Sequence, residues 1–120
     1  MKTYNLLTGS ALALGLTLMP AFAETLSGQA VTTLMSGKSV SWVTPDSTWK
    51  GVSRYQSNGT ASVQVTAPES FKDKGTWWVA GNKFCSKWGI LRDGAERCST
   101  IRTTNQDGVY RMDAVFIRVK

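Results

Sequence analysis

Residues 75–89 read GTWWVAGNKFCSKWG. Side chains alternate across a strand, so residues 76–80 put Trp77 and Val79 on one face and Trp78 and Ala80 on the other. Gly81-Asn82 is a tight-turn pair, and residues 83–88 then place Phe84, Ser86 and Trp88 opposite Cys85 and Lys87. The stretch is therefore expected to be a β-hairpin. One of the adjacent tryptophans belongs to a core. The other meets solvent, a helix or a partner, which makes Trp78 and Trp88 candidate binding residues.

Cys85 and Cys98 are the only cysteines. An even count in an exported chain reads as one disulfide. The two fall on adjacent strands of the next hairpin. Asp93-Gly94 is centred slightly past their midpoint, so a directly opposed bridge needs an asymmetric loop, with Gly89-Ile90-Leu91 as the extra residues. Such a bridge pins the register of the hairpin.

Working outward, residues 38–44 are strand-like, with Val40 and Trp42 on one face, and Thr44-Pro45-Asp46-Ser47 is a turn. A second strand covers 49–56. Ser57-Asn58-Gly59-Thr60 predicts a type I′ hairpin turn. Residues 61–67 alternate Ala61, Val63, Val65 and Ala67 with polar residues, as a strand with one wet face does. Residues 68–74 read as a polar loop with Phe71 as a plug. Strands at 97–104 and 109–119 complete the set. One helix is expected at 27–36, with Ser27 as its N-cap and Gly37 at its C-terminal end.

The connections are short, so successive strands are antiparallel neighbours. The expected fold is mainly β. About seven antiparallel strands form a curved meander or small barrel, with one short N-terminal helix over an opening or the concave face. A two-sheet sandwich satisfies the same pattern.

The N-terminus reads as an address. Met1-Lys2 is followed by an apolar run, Pro20, and the small-x-small site Ala21-Phe22-Ala23. Residues 1–23 are expected to be a signal peptide and 24–120 a single β-rich domain, periplasmic or secreted.

The chemistry is bounded by what the chain lacks. It has no His, which removes the commonest general base and most triads. Two cysteines without His make a poor zinc site. Asp93 and Glu96 are the only close carboxylates, and they bracket a turn. There is no nucleophile elbow, P-loop or dinucleotide fingerprint. The expectation is a non-enzyme without metal or cofactor.

The formal charge is +6, of which Lys2 lies in the leader. That favours an anionic envelope component, an anionic polymer or an acidic protein, and allows peripheral contact with anionic lipid headgroups. Nucleic acid is disfavoured by export. Arg92, Arg97, Arg102, Arg111 and Arg118 cluster in the C-terminal third. Arg102 and Arg111 make a cationic patch if they share a face. The alternative is a solvated face with the neighbouring Asp107 and Asp113 as partners.

The order of a helix ending in Leu-Met-Ser-Gly-Lys, then Asn-Gly, then Gly75-Thr76-Trp77, Gly81-Asn82-Lys83, Cys85-x-x-Trp88 and a second Cys resembles a family of small exported proteobacterial proteins of unknown function. The resemblance is most specific over residues 75–98. It implies a periplasmic or secreted β-rich domain and no known activity.

Two kinds of function fit. One is a non-catalytic binding domain, of which an inhibitor of an enzyme such as lysozyme is one version by analogy of fold. The other is a carrier holding an apolar ligand inside the curved sheet, with Trp42, Val63, Trp77 and Phe116 lining the cavity.

Overall fold

A computed structural model describes residues 23–120. The expected leader therefore lies outside the described residues, apart from Ala23. Eight strands follow one helix: α1 (Gly28–Met35), β1 (Lys38–Val43), β2 (Lys50–Tyr55), β3 (Thr60–Ala67), β4 (Phe71–Ala80), β5 (Lys83–Trp88), β6 (Arg97–Thr103), β7 (Val109–Met112) and β8 (Val115–Val119). Each strand pairs antiparallel with the next, and β8 returns to β1 through Val40↔Val119 and Val43↔Phe116. The sheet is a closed barrel, so the sandwich alternative is corrected. Closure removes the sheet edges that a meander of this length would leave unpaired.

Three local expectations change. Residues 109–119 are two strands, because the chain reverses at Asp113-Ala114 with Asp113 at φ 52°. That reversal supplies the eighth strand. Residues 71–74 belong to β4 and not to a loop, and Phe71 packs partly buried at the core's edge. The Asn58-Gly59 turn is not type I′. Only Gly59 has positive φ, and its N–H donates to Gln56 O at 3.0 Å. This is a type I turn followed by one left-handed residue, the common three-residue hairpin loop.

Helix α1 is an end plug. The Ser27 hydroxyl accepts from Ala30 N at 3.2 Å, and Asn82 Oδ1, in the β4–β5 turn, accepts from Gly28 N at 2.8 Å. A Cβ at Gly28 would collide with the Gly81 carbonyl, so glycine lets the helix seat directly on that turn. Gly37, at φ 75°, ends the helix and donates to Tyr55 O at 2.7 Å. The helix buries Val31 and Met35 over one barrel end.

Beneath the plug lies an aromatic cluster. Tyr55 meets Phe84 edge-on at 4.9 Å between centroids, Trp77 at 6.0 Å and Trp88 at 6.5 Å. Trp77 is buried, with its indole N–H on Gln56 O at 2.7 Å. The alternation read in the opening stretch holds. Trp77 and Val79 point in with Phe84, Ser86 and Trp88, while Trp78 and Cys85 lie on the outer face.

The Cys85–Cys98 disulfide is present and joins directly opposed residues, with Cα atoms 4.0 Å apart. The loop that follows is asymmetric. The β5–β6 ladder ends at Ser86↔Arg97, whereas β5 runs on through Lys87 and Trp88 beside β4.

Candidate functional site

The helix closes one end of the barrel, and the other end is open. There Trp49 of the β1–β2 loop, Leu91 and Arg92 of the β5–β6 loop, and Met112 and Val115 beside the β7–β8 turn border a cavity of about 310 Å³. Its walls are chiefly apolar, from Val40, Trp42, Val63, Leu91, Val115 and Ile117. Trp49 stands at the mouth, 40% exposed. Eight-stranded barrels have an interior that side chains just fill or that holds one small ligand. A second, smaller space of about 80 Å³ adjoins it through the shared residues Ser86, Arg92, Met112 and Val115.

Glycines make room for two of the cavity's indoles. A Cβ at Gly51 would stand 2.7 Å from the Trp42 ring, and one at Gly75 would stand 2.9 Å from the Trp88 ring. Glycine inside a strand marks such close approaches.

The polar groups of the cavity are few. Ser53 is buried and accepts from Trp42 Nε1 at 3.0 Å. Tyr55 sits at the floor. Burial raises its phenol pKa above the ordinary value, partly offset by a hydrogen bond with Ser53 and the charge of Arg92. Ser86 is buried and accepts from Arg92 Nη2 at 2.8 Å.

Among the described residues Arg92 is the one cation in the cavity lining. Its guanidinium is half-buried, and burial, with Arg97 nearby, lowers its pKa from the ordinary value. It remains charged, as arginine does in proteins. Among the described residues the one ion pair is Arg97–Asp113, at 2.7 Å, so Arg92 has no carboxylate partner. Its Nε is buried without any hydrogen-bond acceptor. An unmet buried donor costs about 1–3 kcal/mol.

The local backbone aims Arg92 inward. Arg92 (φ 55°), Asp93 (φ 55°) and Gly94 (φ 74°) are successive left-handed residues. A left-handed conformation costs roughly 1–2 kcal/mol per non-glycine residue. Asp73 holds the loop that carries them. Its carboxylate accepts from Ile90 N at 2.8 Å, Leu91 N at 2.9 Å and Lys74 N at 2.8 Å. Burial works to raise the Asp73 pKa, but these backbone bonds outweigh it and hold the group below its ordinary value.

The residues expected from sequence to form a site fall in two places. Trp88 is buried and lines the cavity. Trp78 is on the outer wall, partly buried, in register with Cys85 and through it with Cys98. Arg102 and Arg111 do share a face, as direct cross-strand partners on the outer wall. The Arg111 guanidinium lies 4.7 Å from the Phe116 ring centroid. Of the expected carrier lining, Trp42 and Val63 face the cavity, whereas Trp77 belongs to the packed core under the helix and Phe116 to the outer wall.

Sequence reasoning missed Asp73, Ser53, Ser86, Tyr55 and Trp49 as parts of one site, and gave Arg92 no separate role. Gly51 and Gly75 inside strands were the available signal for the seats of Trp42 and Trp88. Nothing in the sequence separates Arg92 from the neighbouring arginines. Comparisons with known proteins return no match, whether to protein-family models, curated proteins or solved structures.

Proposed function

We propose that this chain is an exported, non-catalytic binding protein that takes a small apolar or amphipathic molecule into the open end of its barrel. The open apolar cavity of about 310 Å³ carries the reading. It lies at the lower end of the size range of small-molecule sites and has the usual make-up, apolar walls with a few placed polar groups. The disulfide suits an oxidising compartment such as the periplasm or the exterior. Titration with N-phenyl-1-naphthylamine, a neutral apolar dye, tests it. The dye should gain emission on binding at one site, and 1-decanol should displace it. No binding by either compound contradicts the proposal.

The outer wall supports a second reading. Asp73 is the only acid in any of the eight strands, and it points inward. The outward row Arg102, Arg111, Phe116, Val43, Lys50 mixes cations with apolar side chains. Such a wall suits peripheral contact with an anionic lipid surface. Co-sedimentation with phosphatidylglycerol vesicles, but not phosphatidylcholine vesicles, should be lost in an Arg102→Glu/Arg111→Glu variant. Equal sedimentation with both vesicle types rules the reading out.

A further inference from the structure

We infer that the ligand of the open-end cavity is a single-headed carboxylate amphiphile, its head held by Arg92 inside the barrel and its apolar part lying toward the mouth. This rests on the reading of that cavity as the binding site.

The cavity wants an anion. Arg92 is a half-buried cation facing an apolar space, and among the described residues it has no carboxylate partner and its buried Nε has no acceptor. Buried charges are ordinarily paired. Asp113 acts on Arg92 only from a distance, because its carboxylate is bonded to Arg97. The Ser86 hydroxyl satisfies Nη2 alone. A ligand anion supplies the countercharge that the protein lacks.

The cavity also limits the charge to one. Among the described residues Arg92 is the only cation lining it, and the other polar side chains are the neutral Ser53, Tyr55 and Ser86. A second negative charge would be desolvated without a partner. A planar guanidinium matches a carboxylate in two-point contact, and such charge-assisted bonds are the stronger kind.

The orientation follows from where the groups lie. Arg92 reaches from the rim loop to Ser86, a buried side chain within the barrel, and its charge is felt by the buried Tyr55. Trp49 and Leu91 line the cavity from the loops at its mouth. A carboxylate head therefore enters first. Apolar contacts follow against Trp42, Trp49 and Leu91.

The outer wall does not share this logic. Arg102 and Arg111 are exposed and solvated, so they attract anions of any shape. Arg92 selects for an anion that brings an apolar chain with it.

The matched pair decanoate and 1-decanol tests this by displacement of N-phenyl-1-naphthylamine at pH 7.5. The wild-type chain should bind decanoate more tightly than decanol by roughly 10–100-fold, the worth of a charge-assisted hydrogen bond. Arg92→Met should bring the two affinities together by weakening decanoate more than decanol, since the methionine keeps an apolar wall but no charge. Arg92→Lys should keep part of the preference. A merely structural Arg92 would move both affinities alike. If Arg92→Met does not fold, Arg92→Gln gives the same comparison. Equal binding of both compounds by the wild type, or a preference that survives Arg92→Met, overturns the inference but leaves the cavity as the site. Failure of both compounds to bind overturns the site itself and the inference with it.

Discussion

The Asp73 carboxylate accepts the backbone N–H of Leu91 at 2.9 Å and so fixes the loop whose next residue is Arg92. Asp73 sits on β4, and the loop follows β5. One buried side chain thus ties the register of the sheet to the placement of the cavity's cation.

Replacing that carboxylate should loosen the loop. Asp73→Asn is expected to lower stability by roughly 1–3 kcal/mol, because hydrogen bonds to a charged acceptor are the stronger ones. The pH dependence follows from the direction of its shift. A folded-state pKa below the ordinary 3.8 gives stability that is fully present above that value. It is lost as pH falls through the folded pKa. Urea melts at pH 7 and at pH 3 should show a loss in the wild type, with Asp73's share of it missing in Asp73→Asn. A variant that is as stable as the wild type at pH 7 contradicts this role.

The disulfide should contribute stability and leave the cavity alone. It joins outward-facing residues 13 apart in sequence. Cys85→Ser/Cys98→Ser is expected to lose about 2–3 kcal/mol, as for a short closed loop. Because the ladder around it is continuous, dye affinity at temperatures well below melting should stay within a factor of about two. Denaturant melts and dye titrations on the same preparation check both halves.

Gly28 should resist substitution by alanine. Alanine gains up to about 1 kcal/mol of helix propensity over glycine. Its Cβ would strike the Gly81 carbonyl, which is backbone and cannot step aside. A net loss of about 1–3 kcal/mol is expected, in the range of overpacked sites. A stabilised Gly28→Ala variant in thermal melts would show that the helix does not seat on the β4–β5 turn as described.

Trp49 should matter to binding and little to folding. It stands at the cavity mouth and is 40% exposed. Trp49→Ala should weaken dye binding by roughly three- to tenfold, the worth of part of an aromatic face. The melting temperature should change by no more than a few degrees. Trp78→Ala, on the outer wall, should leave the dye affinity unchanged.

Much of the barrel was legible because period-two alternation is a strong local signal. Trp77 against Trp78, and Phe84-Ser86-Trp88 against Cys85, followed from it directly. Ser27 and Gly37 likewise bounded the helix through capping chemistry. The open-end site was not legible, for three physical reasons. Asp73 lies in a charged stretch, Phe71-Lys72-Asp73-Lys74, that reads as solvated loop until β4 is seen to run ten residues. Arg92 turns inward from a loop with three consecutive left-handed residues, and an arginine gives no hint of that conformation. Whether eight strands leave space or fill it depends on side chains from distant segments, such as Trp42, Val63 and Val115, meeting across the barrel.

The five tryptophans provide the most direct test of the account. Trp42, Trp49 and Trp88 line the open-end cavity, whereas Trp77 lies in the core and Trp78 on the outer wall. Indole N–H signals of ¹⁵N-labelled protein, followed during titration with 1-decanol, report on all five at once. The account predicts shifts at Trp42, Trp49 and Trp88, with Trp77 and Trp78 unmoved. Shifts confined to Trp78, or none at any indole, would contradict it.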